Sequence, residues 1–198
     1  GEYVFADNKN LPVYLFMAVV EALFVGMSVS AEEIFKDRRI LERESFLNLS
    51  RFSYINSKVV FLFALSGIQT LSFVLVGNYV LEIQGMTWYY TMILFSTSCF
   101  ANMIGLNISS ALNSIITIYI LIPFILVPQL LLGGAMIKFD ELHTGIAKQS
   151  HVPLVRDVMA SRWAYEALSV AQFKHNAYES HFFKADKAMS QNSFQRSY

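Results

Sequence analysis

Charge is what this chain lacks most. Of its 198 residues 15% are charged and 55% are hydrophobic, whereas an ordinary soluble domain carries about 25% charged residues. The shortage is concentrated. From Val59 to Ile137, a run of 79 positions, the one charged residue is Glu82. A soluble chain must clothe its surface with polar groups and cannot absorb such a run; a bilayer can. The single cysteine, Cys99, excludes an internal disulfide and a multi-cysteine metal site. It stands inside an apolar run and reads as a small packing residue.

Other absences narrow the chemistry. The formal net charge is zero, so nothing points to nucleic acid as a partner. No Gly-x-x-x-x-Gly-Lys-Ser/Thr run occurs, so this segment has no P-loop for ATP. The four histidines, His143, His151, His175 and His181, match no strong metal-binding spacing, and no nucleophile–base arrangement can be argued. The chain starts at Gly1 with polar residues 1–10 and no basic, then apolar, leader, so no signal peptide is visible and a piece of a longer polypeptide is expected.

What the chain does have is four apolar segments, each near the roughly 20 helical residues that cross a bilayer. They run over about residues 11–31, 59–81, 88–108 and 115–137. In hydrocarbon, backbone amides must bond within their own segment, and these runs are too long and too uniformly apolar for barrel strands. The expected fold class is therefore all-α, a polytopic transmembrane helical bundle. The link over 32–58 holds six basic residues, Lys36, Arg38, Arg39, Arg43, Arg51 and Lys58, and the links after the second and third spans hold none. Positive residues in short loops stay in the cytoplasm. That rule places 32–58 inside, and residues 1–10, the Glu82 loop and the region 138–198 outside. The last of these carries eight Lys or Arg offset by six acids, and it is long enough for the rule to weaken.

Residues Glu32 to Glu44 contain no Gly or Pro, and the apolar pairs Ile34/Phe35 and Ile40/Leu41 recur at helical spacing. This predicts an amphipathic cytoplasmic helix continuing the first span. A turn near Asn48–Ser50, whose side chains can cap, then leads into the second span. The stretch from Val155 to Lys174 predicts another helix, at or dipping into the outer surface, with Trp163 and Tyr165 in the interfacial belt.

Within the spans, Glu21 is the sharpest signal. An acid at a helix centre costs roughly 2.5–3.5 kcal/mol to insert and is expected to face protein or water. Gln69, Asn78, Asn102 and Asn107 are candidates for hydrogen bonds between helices, and Ala101, Gly105 and Ser109 form a row of small residues suited to close helix approach. Pro123 and Pro128 interrupt the fourth span, where each frees a carbonyl and allows either a simple kink or a gate. Two glycosylation patterns, at Asn48 and Asn107, fall on the cytoplasmic side of this topology.

Three stretches taken together resemble the membrane domain of G-type transporters of the ABC-2 class. Ser30-Ala31-Glu32-Glu33-Ile34-Phe35, with Asp37-Arg38-Arg39 and Arg43-Glu44, is similar to the end of that family's second membrane helix and its run toward the coupling helix. Residues 48–58 are similar to the coupling helix and re-entry. Gly133-Gly134, followed by Arg162-Trp163-Ala164-Tyr165-Glu166-Ala167-Leu168 and Gln172-Phe173, is similar to the end of the fifth helix and the external re-entrant region. The resemblance covers about 145 residues, with order and spacing in agreement, and the style resembles that of a bacterial, Bacteroidetes-like member.

The resemblance implies that the spans are helices two to five of six, in the cell (inner) membrane, with an ATPase domain in the same polypeptide and a homodimeric assembly. It implies no cofactor in this segment, and ATP and Mg in the associated nucleotide-binding domain. Coupling to that domain would fall on Arg39, Arg43, Glu44, Asn48 and Arg51. The substrate pathway would fall on Glu21, Leu23, Phe24 and Met27 of the first span and on Phe124, Val127, Leu130, Ala135 and Met136 of the fourth. The external re-entrant motif would be Arg162, Trp163, Tyr165 and Glu166. The expected function is an ATP-driven permease exporting an amphipathic or lipid-like substrate by alternating access. The full transporter would hydrolyse ATP, though this segment carries no ATPase motif. A non-transporting membrane anchor for a partner protein is the alternative. An intramembrane enzyme using Glu21 ranks last, for want of a second catalytic group in a span.

Overall fold

In the computed structural model, residues 10–44, 50–132 and 159–175 are described. They form six helices: α1 (Asn10–Ser30), α2 (Glu33–Glu44), α3 (Arg51–Val80), α4 (Thr87–Ala111), α5 (Ile115–Leu132) and α6 (Ala160–His175). Three stretches are long and apolar enough to cross a membrane: Asn10–Arg43, Phe52–Val80 and Thr87–Ala111. The helix of the fourth expected span is shorter within the described residues, and positions 133–137 of that span lie outside them.

Helix α4 is the central post and packs against every other described helix. Its fullest contact is with α1, and the two run parallel. Tyr14 lies beside Tyr90 at one end, with ring centroids 6.5 Å apart, and the chain at Ile34 meets Ser109 at the other. Close approach depends on glycine at two places. A Cβ on Gly26 would lie 2.8 Å from the Ala101 Cβ, and one on Gly105 would run into the Ser30 side chain and come within 2.8 Å of the Met27 carbonyl oxygen. The row Ala101, Gly105, Ser109 is thus the face on which α1 lies, as small-residue packing in lipid requires.

Helix α3 runs antiparallel to both. Ser50 caps its start, accepting from the Ser53 amide, so the helix begins well before the apolar run does. Its contact with α4 is polar. Ser98 Oγ donates to Ser66 Oγ at 2.9 Å, and Asn102 Nδ2 donates to the same oxygen at 2.7 Å, all buried. Asn78 Nδ2 donates to Thr87 Oγ1 across the short turn where Glu82 and Gly85 take positive φ. Asn107 instead bonds its own helix, at the Met103 carbonyl. Most of α3 faces outward with apolar side chains, including Val60, Phe61, Ile68, Leu75 and Val76. That is the surface expected to meet hydrocarbon.

Helix α5 buries Ile118, Ile122, Leu126 and Gln129 on one stripe and exposes Ile120, Pro123, Phe124, Val127 and Pro128 on the other. Both prolines sit inside the helix on its exposed side. Helix α6 lies antiparallel against α4, with His175 stacked on Tyr89 at 4.4 Å and Tyr90 donating to Gln172. Its other end lines a groove with Thr97 and Phe100, and Ser161 donates to the Gln129 carbonyl. Since Tyr89 and Phe100 are separated by about 16 Å at 1.5 Å per residue, α6 reaches roughly half-way along α4.

Candidate functional site

The charged end of the bundle carries the densest side-chain network. The apolar run of α1 stops at Ala31, and α2 restarts as a charged helix whose first turn is tied to two neighbours. The free amides at a helix start need acceptors. For α2 the acceptor comes from α4: Ser109 Oγ accepts from Ile34 N at 3.1 Å and from Phe35 N at 2.9 Å. One turn on, Arg38 Nη1 donates to the Leu112 carbonyl at 3.3 Å and to Asn113 Oδ1. This places a cation at the carbonyl end of α4, where the helix dipole favours it.

The second tie comes from α3. Lys58 Nζ bridges Glu33 Oε2 at 2.8 Å and Asp37 Oδ2 at 2.7 Å, and Tyr54 Oη donates to the same Asp37 oxygen at 2.9 Å. Glu33, Asp37, Tyr54 and Lys58 lie outside the apolar runs 11–31 and 59–81, and Lys58 holds the Asp37 carboxyl below the ordinary aspartate value. With α3 and α4 both gripping its inner face, α2 cannot move without drawing on the ends of two long helices. Its outer face presents Lys36, Arg39, Ile40 and Arg43, all exposed.

The five coupling candidates therefore separate. Arg39 and Arg43 stand exposed on α2. Asn48 lies outside the described residues, and Glu44 and Arg51 are described in backbone alone, at the end of α2 and the start of α3. Lys58, Tyr54, Ser109 and Asn113, which hold α2 in place, were not among the coupling candidates; the sequence marked Lys58 only as a basic link residue and Ser109 only as a member of the small-residue row. Lys58 had a signal, as a cation at the foot of an apolar span. Ser109 had none, because it looked like one more small residue in a packing row.

The pathway candidates also separate. Phe24 on α1 is exposed, as are Phe124 and Val127 on α5, and Leu130 is partly buried. Leu23 and Met27 are fully buried in the core rather than on that surface. Ala135 and Met136 lie outside the described residues. Glu21 is half-buried between α1 and α3, where Gln69 Nε2 donates to its Oε1 at 2.6 Å; its Oε2 is buried with no hydrogen-bond partner among the described residues.

At the end of α6 that lies half-way along α4, Arg162 lies 5.0 Å over the Trp163 ring, with its Nε 3.8 Å from Glu166 Oε2. Trp163 is exposed and Tyr165 partly buried against the core. The buried face of α6 is Ser161, Ala164, Leu168, Ala171 and Gln172, and Phe173 is exposed. Among the described residues no group of three His, Cys, Asp or Glu could hold a metal ion.

A bundle of membrane-length apolar helices, with a charged helix clamped across one end, defines a helical membrane protein. The family comparison makes this specific. Residues 2–173 match the family model described as ABC-2 type transporter, and the chain belongs to that family. It is the membrane component of an ABC transporter, a class that works with an ATPase component. No curated protein and no solved structure matches the chain.

Proposed function

We propose that this chain is the membrane half of an ATP-driven exporter for amphipathic or lipid-like cargo, spanning the cell (inner) membrane several times. The ATPase domain would belong to the same polypeptide, with ATP and Mg bound there, and two copies would assemble around a central pathway. The observation that carries this reading is the clamped α2 helix. It offers Arg39 and Arg43 outward for an ATPase domain while its inner face is locked to α3 and α4. Closure of two ATPase domains would push α2, and the push would reach the spans through Lys58 and Ser109. Because a driving event shifts only the states it distinguishes, α2 must sit differently in the inward- and outward-facing forms.

The apolar stripes of α1 (Met17, Phe24) and α5 (Phe124, Val127) are the surfaces that would line the pathway, with Leu23, Met27 and Leu130 packed behind them; Ala135 and Met136, outside the described residues, would complete it. Glu21 would supply the one acid on that route, and the Arg162-Trp163, Tyr165 and Glu166 region would border its outer opening. Glu44, Asn48 and Arg51 would complete the docking surface around the elbow.

The test is transport per ATP hydrolysed in the full transporter, reconstituted in vesicles. Arg39→Glu with Arg43→Glu is expected to lower that ratio at least fivefold while the protein remains folded. An unchanged ratio would remove α2 as the docking element.

A further inference from the structure

We propose that Ser109 is a positioning residue that splits one long helix into α1 and α2, and that transport requires α1 and α2 to be spliced and unspliced by exchange of that single acceptor. The inference rests on the exporter reading for its transport consequence, but its structural core stands on the joint alone.

The joint has an unusual construction. By length and composition Asn10–Arg43 is one 34-residue apolar stretch, yet it is broken by a turn at Ala31 and Glu32. Helical bonding runs up to the break, where Ala31 N donates to the Met27 carbonyl at 2.9 Å, and resumes beyond it, where Lys36 N donates to the Glu32 carbonyl at 2.9 Å. Between them, the amides of Ile34 and Phe35 go to Ser109 Oγ. In an unbroken helix these two amides would bond the carbonyls of Ser30 and Ala31, four residues back. A foreign side chain inserted into the helix ladder is one of the few recognised causes of a sharp kink. No proline or glycine stands between Met27 and Leu41 to provide another.

Two further observations place the device on α4. Gly105 brings the α4 backbone against the joint, so that a Cβ there would lie 3.0 Å from Ala31 N. Ser109 is 1% exposed, so no water competes for its hydroxyl. On the α1 side, Ser30 Oγ bonds back to the Gly26 carbonyl at 2.7 Å, a pattern that itself bends helices.

The exchange conserves hydrogen bonds. In the kinked form Ile34 N and Phe35 N are held by Ser109. In the straight form the same amides return to Ser30 and Ala31 of their own chain, and the hydroxyl is released. Each arrangement keeps two bonds to these amides, and the straight form leaves the buried Ser109 oxygen without them, a cost that the push of a partner must supply.

The test uses the full transporter in lipid nanodiscs, with Cys99→Ser and any cysteine elsewhere in the polypeptide likewise replaced. Spin labels replace Ile40 and Ser110, which are both exposed. Without nucleotide, the protein with native Ser109 should give one short α2–α4 distance. Ser109→Ala should shift it to longer values, and Ser109→Thr, which keeps the hydroxyl, should restore it. Transport per ATP hydrolysed should fall at least threefold in Ser109→Ala and less than twofold in Ser109→Thr. Ile34→Pro provides a second route should Ser109→Ala fail to fold. Proline is accepted in the first turn of a helix but clashes with the carbonyl four residues back in a continuous one. It should keep the nucleotide-free distance, abolish the shift on adding a non-hydrolysable ATP analogue, and lower transport at least tenfold with ATP hydrolysis retained.

An unchanged distance in Ser109→Ala, or a Thr variant as defective as Ala, overturns the role of the hydroxyl. Native transport by Ile34→Pro overturns the exchange. If Arg39→Glu with Arg43→Glu leaves coupling intact, the docking reading fails alone, since the nucleotide-free distances do not depend on it.

Discussion

Along its seam with α1, helix α4 sets Ala101 and Gly105 against Gly26, Met27 and Ser30, and the two backbones nearly touch. Along its seam with α3 it sets Ser98 and Asn102 against Ser66, and side-chain hydrogen bonds bridge the gap. Lipid tails are as apolar as leucine, so the hydrophobic effect does not pull helices together within a bilayer. Close packing and hydrogen bonding remain, and this bundle uses one on each side of its central helix. The close seam tolerates no added volume. The polar seam depends on the partners its side chains hold.

The sharpest way to break this contrast is Gly105→Leu. A Cβ at that position already meets the Met27 carbonyl and the Ala31 amide, and backbone cannot step aside as a flexible side chain could. A loss of about 3 kcal/mol is expected, at the upper end for overpacking, read as the shift in a detergent unfolding curve. Asn102→Ala on the other seam should cost less, about 1 kcal/mol. Combined with Ser66→Ala it should cost clearly less than the sum of the two single changes, because both remove the same bond. An additive double mutant would mean that the polar seam does not act as a unit.

The smallest effect concerns pH at the elbow. Lys58 lowers the Asp37 pKa from its ordinary value of 3.8. A depressed carboxylate contributes stability above its unfolded pKa and loses that contribution as pH falls through the lower, folded value. The Lys58–Asp37 contribution should therefore be unchanged between pH 7 and 5 and fade only below 3.8. Lys58→Ala should remove the contribution at every pH. The spin-label pair at Ile40 and Ser110 reads both outcomes.

Much of this architecture was legible before any coordinates. The lengths of the apolar runs, the amphipathic stretch after Ala31, the cap at Ser50 and the small row on α4 each follow from local chemistry that a sequence displays. Rotation about the helix axes was less legible. Helices α1 and α5 are apolar on nearly every side, so their sequences carry little periodic contrast to say which side is inward. For that reason Leu23 and Met27 looked equivalent to Phe24, although the first two are buried and the third is exposed. Contacts made by one atom between distant segments were invisible for a different reason. The 75-residue separation between Ile34 and Ser109 leaves no spacing pattern to read.

The central claim is that α2 lies on the cytoplasmic side with Arg39 and Arg43 turned toward the ATPase component. Its most direct test is to replace each in turn by cysteine, in the Cys99→Ser background of the full transporter, and to react it with a membrane-impermeant maleimide. The account predicts no labelling in intact cells, labelling in inside-out vesicles, and slower labelling when nucleotide closes the ATPase domains against α2. Labelling of either position from outside intact cells would contradict it.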